Sequence, residues 1–334
     1  AQIYSLSHTD PYTTVDGVSR TVVATYRSAT QFTTASSEFS TDTGTLGVDY
    51  GWPISEFQSV RTGLAASRSD LLTDPNGSPQ EQSDWVQENG DTYSKSVRFG
   101  VPEYEYTYYG TKFDTYTLSL GWSFDSRNRA LFADRGSRHR VNMSYTLPFS
   151  GVDFYTVNYD YLQFIPISRL FTFMINADVA YGDSIGDTTA IPPYRRFFAG
   201  GPESVRGFDE SRLGPKDSFG NPYGGNLRFV SQFELLLPMP EKFRNSARFS
   251  VFFDAGNVFS TDDTDFVGQD GITPVEYNFA FDEIRYSTGI AVQWLAPLGV
   301  FRFSYAVPLN AKDGDGIEYD DETEGFQFSI GQAF

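Results

Sequence analysis

Apolar and polar residues alternate with a period of two along most of this 334-residue chain. In 115–124, Tyr116, Leu118, Leu120, Trp122 and Phe124 alternate with Thr115, Thr117, Ser119, Gly121 and Ser123. The same pattern sets Val141, Met143, Tyr145 and Leu147 against Asn142, Ser144 and Thr146, and Tyr155, Val157, Tyr159 and Tyr161 against Thr156, Asn158 and Asp160. At the end of the chain, Phe326, Phe328, Ile330 and Phe334 oppose Gln327, Ser329 and Gly331. Successive side chains of a strand point to opposite faces, so the pattern predicts strands with one apolar and one polar face. Thirteen are predicted, near 2–10, 18–33, 39–52, 57–70, 112–127, 138–148, 153–165, 170–182, 225–237, 246–259, 284–296, 300–308 and 325–334. Many run for roughly 9–14 residues. Ordinary strands have about 5–6, whereas a tilted membrane-spanning strand needs about 9–11.

The connections sort into two kinds. Short turns fall near Pro11–Gly17, Pro53–Glu56, Asn128–Ser137, Pro166–Ser168, Pro238–Asn245 and Pro297–Gly299. Longer loops lie near 70–111, 182–224, 259–283 and 308–324, several of them rich in Asp and Glu. Short turns on one side and long polar loops on the other are the pattern of bacterial outer-membrane barrels. The expected fold is therefore all-β, an antiparallel transmembrane β-barrel domain over 1–334. A soluble β-sandwich or propeller is the alternative, but no blade-length repeat is present and the strands are too long. Bacterial single-chain barrels have even strand counts, and Ala1 stands inside an alternating pattern. Both facts point to strands that precede this chain.

Mean hydropathy is −0.36, and no run approaches the roughly 18 apolar residues of a membrane helix. That reads as soluble only if strands are ignored, because a barrel shows lipid every second residue. Aromatic residues make up 17%, with 31 Phe and 21 Tyr, and they gather at strand ends as an interfacial girdle requires. A net charge of −18 argues against nucleic acid as a partner. There is no Cys for a disulfide framework. No charged n-region followed by an apolar core, as in a signal peptide, opens the sequence.

Within loop 182–224, Val205-Arg206-Gly207-Phe208 lies between two Gly-rich stretches. The alternation in 227–237 puts Leu227, Phe229, Phe233, Leu235 and Leu237 on the lipid face, so Gln232 and Glu234 point inward. In 249–256, Phe249, Val251, Phe253 and Ala255 take the lipid face, so Asp254 points inward. The two carboxylates sit on consecutive strands and can converge on one cation. Arg206 is the candidate if its loop folds into the lumen, since a guanidinium meets a carboxylate bidentately. Gly207 would let the backbone turn tightly, and Phe208 would fill an apolar niche. The bland alternative is that Glu234 and Asp254 only line a hydrated lumen.

Several blocks together resemble the BamA family, central subunits of the bacterial outer-membrane β-barrel assembly machine. They are Asp10-Pro11-Tyr12 with Val15-Asp16-Gly17-Val18-Ser19; Gly200-Gly201 through Val205-Arg206-Gly207-Phe208; Leu213-Gly214-Pro215-Lys216; Gly224-Gly225-Asn226; Phe252-Phe253-Asp254-Ala255-Gly256-Asn257-Val258; Gly289-Ile290-Ala291-Val292-Gln293-Trp294 through Pro297-Leu298-Gly299; Phe303-Ser304-Tyr305-Ala306; and Phe326-Gln327-Phe328-Ser329-Ile330-Gly331. They run in family order over nearly the whole chain. The tetrapeptide alone is less specific, being shared with TamA and two-partner secretion transporters. The resemblance implies a barrel of about 16 strands, with periplasmic POTRA domains and about three strands preceding this chain. It implies the Arg206 arrangement in the lumen, and a seam between first and last strands of which only the last is present. The terminal Phe326, Phe328, Ile330 and Phe334 resemble the signal by which the assembly machinery recognises its substrates; a girdle aromatic is the plainer reading of Phe334.

No catalytic constellation emerges. His8 and His139 are the two histidines, neither with a metal-ligand partner at useful spacing. The acidic run 313–324 lacks an EF-hand pattern. The expectation is a non-enzymatic insertase with no cofactor and no metal. Its expected partners are unfolded outer-membrane proteins as clients, accessory outer-membrane lipoproteins, periplasmic chaperones reached through POTRA domains, and the lipid bilayer. A related protein-secretion transporter or a passive porin is the alternative.

Overall fold

The computed structural model describes residues 2–32, 38–74, 77–99, 104–240, 242–243, 246–297, 299–314 and 316–331. Its strands are β1 (Gln2–Asp10), β2 (Ser19–Phe32), β3 (Glu38–Pro53), β4 (Gln58–Thr73), β5 (Asp91–Phe99), β6 (Tyr104–Asp125), β7 (Gly136–Thr146), β8 (Phe154–Pro166), β9 (Thr172–Ser184), β10 (Leu227–Leu236), β11 (Ala247–Phe259), β12 (Phe266–Val267), β13 (Pro274–Val275), β14 (Arg285–Ala296), β15 (Gly299–Pro308) and β16 (Phe326–Gly331). Fourteen form one sheet, all paired antiparallel with their neighbours. β5 pairs with β6 off the main path, β12 and β13 form a separate small hairpin, and the remaining thirteen follow one another in chain order from β1 to β16. Those thirteen correspond to the thirteen expected strands. The sheet is open: among the described residues, β1 pairs only with β2, and β16 only with β15.

The two faces separate as the alternation requires. Val251, Phe253, Ile290, Val292, Trp294, Phe326, Phe328 and Ile330 are exposed on an outer apolar face. On the opposite face Val230, Gln232, Glu234, Phe252, Asp254 and Gln327 are buried. An apolar face open to the surroundings and a polar face shut away is the inverse of a soluble sheet and matches a wall that meets lipid. No helix is long and apolar enough to cross a membrane among the described residues.

One stretch departs from expectation. The region 70–111, read from sequence as a polar loop, contains α1 (Gln80–Glu88), β5 and the beginning of β6, which starts at Tyr104 rather than near 112. Helix α1 has no side-chain cap from its own flank, where Pro79 stands. A distant loop supplies one instead: Gln80 N–H donates to Ser218 Oγ at 3.0 Å, and Ser218 N–H donates back to Glu81 Oε2 at 3.1 Å. That exchange satisfies one of the open amides of a helix N-terminus. Trp85 and Val86 bury against Leu71, Phe113, Val152, Phe154, Ala190 and Ile191. Trp85 Nε1 also donates to the Ala190 carbonyl at 2.8 Å. Tertiary packing and this borrowed cap therefore make the helix.

Ala255 also differs in part. It keeps its place on the outer register but is buried, in a cluster with Phe259 and Ile284 flanked by Leu227 and Tyr286. The segment before β14 wraps over the end of β11 here, with Asn257 Nδ2 donating to the Glu283 carbonyl and Phe279 edge-on to Phe259.

Candidate functional site

The connection between β9 and β10 lies against the polar face of the sheet, and its register places three charged groups together. β10 and β11 pair so that Gln232 faces Asp254 and Glu234 faces Phe252. Glu234 and Asp254 thus lie on neighbouring strands and the same face. Arg206 comes down onto them from the connection. Its Nε donates to Asp254 Oδ2 at 2.7 Å and its Nη2 to Asp254 Oδ1 at 2.7 Å, a two-pronged contact. Its Nη1 donates to Glu234 Oε1 at 2.6 Å, and its backbone N–H adds a bond to Asp254 Oδ2 at 3.1 Å. The guanidinium carbon lies 3.5 Å from the ring centre of Phe252.

Arg206 is 4% exposed, Glu234 3% and Asp254 fully buried. Burial alone would lower the Arg206 pKa. The carboxylates of Asp254 and Glu234 outweigh it and hold the pKa above its ordinary value, so the group stays charged. A buried ion pair is a weak source of net stability, but removing one member leaves an uncompensated charge that is costly. The triad therefore fixes position more than it adds stability.

The rest of the tetrapeptide completes the joint. Gly207 has φ of 90°. A Cβ there would sit 3.1 Å from the Ala306 Cβ and 3.4 Å from Pro308, so both backbone angle and space call for glycine. Phe208 is fully buried among Ala199, Val205, Leu213, Val230 and Val258. Gln327 of β16 ties the backbone from below: Gly207 N–H donates to its Oε1 at 3.2 Å, and its Nε2 donates to the Phe208 carbonyl at 2.7 Å. Phe208 also forms an antiparallel bridge with Thr323, flanked by Glu324 N–H to the Gly207 carbonyl and Asp209 N–H to the Glu322 carbonyl, both at 3.0 Å.

Sequence reasoning did not reach a second buried cation. Arg196 Nη2 donates to Asp262 Oδ2 at 2.8 Å and Thr264 Oγ1 at 2.6 Å, Nη1 donates to Ser260 Oγ at 3.1 Å, and Tyr223 lies under the guanidinium at 4.6 Å. It joins the β9–β10 and β11–β14 connections, two irregular segments with no periodicity to reveal the contact. Phe326, Phe328 and Ile330 lie together on the outer face of β16, with Phe328 packed on Phe301 and Phe303; Phe334 lies outside the described residues. No group of three His, Cys, Asp or Glu able to hold a metal occurs among the described residues.

The Omp85 superfamily domain matches residues 1–334. The chain belongs to the Omp85 superfamily. It is 34% identical to the outer membrane protein assembly factor BamA of Neisseria meningitidis over 99% of its length, and it spans 41% of that relative. The sorting assembly machinery 50 kDa subunit of Saccharomyces cerevisiae is 28% identical over 49% of this chain and 32% of its own. Among solved structures, BamA from Haemophilus ducreyi lacking POTRA domains 1–3 superposes with a TM-score of 0.76 at 27% identity, over 98% of this chain and 61% of that one. CdiB from Acinetobacter baumannii superposes with a TM-score of 0.51 at 14% identity, a likeness of fold alone. The sheet is thus an antiparallel transmembrane β-barrel wall of the BamA type, with β1 and β16 as its unpaired edges among the described residues, and its place is the bacterial outer membrane.

Proposed function

We propose that the protein carrying this Omp85 domain folds and inserts β-barrel proteins into the outer membrane without a chemical step. The observation that supports it best is the 34% identity to an outer membrane protein assembly factor across nearly the whole chain. The physics has two parts. An unfolded barrel strand has backbone groups that hydrocarbon cannot satisfy, and an unpaired strand edge offers them a ladder. A barrel with a short lipid face also thins the bilayer beside it, which lowers the barrier to entry. The free energy comes from the client's own folding.

In this reading the β9–β10 connection, residues 185–226, folds into the lumen and Arg206 is its anchor. With the loop anchored, the wall beneath the seam stays in register while a client pairs. Clients are unfolded outer-membrane proteins; accessory lipoproteins are partners, and periplasmic chaperones are reached through POTRA domains. The β16 residues Phe326, Phe328 and Ile330, with Phe334, serve as the assembly signal of the protein itself.

The test uses the full-length protein in liposomes with an unfolded barrel client, followed by heat-modifiable gel mobility. Client folding is expected to accelerate over empty liposomes and to slow with Arg206→Ala. No acceleration, together with steady single-channel conductance, would overturn the reading in favour of a pore.

A further inference from the structure

The short-turn half of the polar face holds a cavity of about 360 Å³ whose charge is opposite to that of the chain. The chain carries −18 overall. The cavity is lined by Arg127, Arg138, Arg206, Arg248 and Arg302 against only two carboxylates, Glu203 and Glu234. Pro202, Glu203 and Arg206 of the β9–β10 connection roof it. The ends of β8, β10, β14 and the beginnings of β9, β11 and β15 wall it, and the turn after β6 closes one side.

Three of the arginines already have acid partners. Arg206 is held by Asp254 and Glu234, Arg127 by Asp125 at 2.7 Å, and Arg302 by Glu203. Arg248 donates to the Ala133 carbonyl and lies over the rings of Phe132 and Phe164 at 4.9 and 5.5 Å. Arg138 Nε and Arg302 Nε are shut off from solvent and have no hydrogen-bond partner among the described residues; Glu234 Oε2 shares that condition. Guanidinium donors closed off without acceptors are costly. The turn bearing Ala133 is itself held in an unusual shape, with Phe132 at φ of 53°, a left-handed conformation that survives only where its surroundings enforce it.

We propose that this cavity binds a carboxylate-bearing peptide segment that enters from the short-turn side. The guanidinium groups of Arg138 and Arg248, for which no carboxylate salt bridge is formed among the described residues, match a carboxylate in geometry and charge. A peptide fits better than a bare ion, because Leu162, Phe164, Met174 and Leu236 line the same cavity and offer apolar contact beside the guanidinium groups. A membrane lipid fits worse, because the cavity lies behind the wall whose other face carries Val251, Phe253 and Ile290. The inference goes beyond the insertase reading: the binding is the same whether the acidic segment belongs to a client or to a neighbouring domain.

The test is fluorescence anisotropy on the full-length protein in detergent, with a labelled octapeptide alternating Glu with Gly and Phe, and a twin carrying Gln for Glu. The acidic peptide is expected to bind at least about 10-fold more tightly than its twin, and Arg138→Gln with Arg248→Gln to erase about 10-fold of that affinity. Arg138→Gln alone, at a side chain that supports no turn, guards against misfolding and is expected to cost about 3-fold. Equal binding of the two peptides, or unchanged affinity in both variants, would overturn the proposal. Complete displacement by millimolar inorganic phosphate would overturn the peptide assignment and leave a simple anion site. Client folding is measured separately, so a wild-type protein that folds clients but does not prefer the acidic peptide over its twin refutes this inference and spares the insertase reading.

Discussion

In β11, Ser250, Phe252 and Asp254 are sealed from solvent while Val251 and Phe253 on the alternate face stay open. In β1, side chains of both faces are exposed from Gln2 to Thr9. The two strands follow the same two-residue rule and sit in the same sheet. What differs is the chain laid over them. The β9–β10 connection rests on β10, β11, β15 and β16 through Arg206, Gly207 and Phe208. Alternation therefore assigns residues to faces, and a loop decides which face becomes interior. On β11 that interior is the polar face, made tolerable by a cation that arrives with its own hydrogen bonds.

Arg206→Ala tests this difference between β11 and β1 most severely. It strands Asp254 and Glu234 without their partner and is expected to cost about 3–5 kcal/mol, read as a lower denaturation midpoint and faster proteolysis within 185–226. Hydrogen exchange in β1 and β2 should scarcely change; equal loss there would mean the two halves are one cooperative unit. Phe208→Ala comes next, at about 3–4 kcal/mol for a fully buried ring, again confined to β10, β11 and the connection. A result below about 1 kcal/mol would show that the apolar cluster collapses to fill the space.

A smaller effect sharpens the contrast on the α1 side. Burial raises the Glu81 pKa, with the nearby charge of Asp217 adding to it, against the opposing bond from Ser218 N–H. A carboxyl whose folded pKa lies above its ordinary 4.5 binds its proton more tightly when folded. Stability from this group is present below that value and declines as pH rises through the folded pKa. Protection of the α1 amides, relative to their intrinsic exchange at each pH, should therefore be higher at mildly acid pH than at neutral pH, and Glu81→Gln should flatten the difference. A rise in protection towards neutral pH would reverse the sign and discard the account. The smallest effect is expected at Ser5→Thr in β1, within about 0.5 kcal/mol; a larger cost would mean that β1 has a covered face.

Much of this was legible in the chain. The inward positions of Gln232, Glu234 and Asp254 follow from parity alone, because a single-residue slip would put every apolar side chain on the wrong face. Most strand borders followed from the turns, but the start of β6 and the end of β4 did not. α1 was not legible: its nine residues offer Trp85 and Val86 to a core and little else, and its cap comes from Ser218, far along the chain. β5 was hidden for a related reason, since Asp91–Phe99 pairs with a β6 extension that reads as loop until the hairpin is formed. Arg196 and Asp262 meet between two irregular segments, where no period constrains either residue.

The contacts of the tetrapeptide also carry an order in time. Arg206 reaches Glu234 at a separation of 28 residues, Asp254 at 48, and Gly207 reaches Gln327 at 120. Each is a loop that must close before the contact can form, and the longest waits for the final strand. By separation, Arg206 can meet Glu234 and Asp254 as soon as β10 and β11 have paired, whereas the backbone of Gly207 and Phe208 gains its tie to Gln327 only after β16 has joined. The tetrapeptide is thus fastened in two stages, and a chain halted before its last strand would hold the arginine but lack the second fastening.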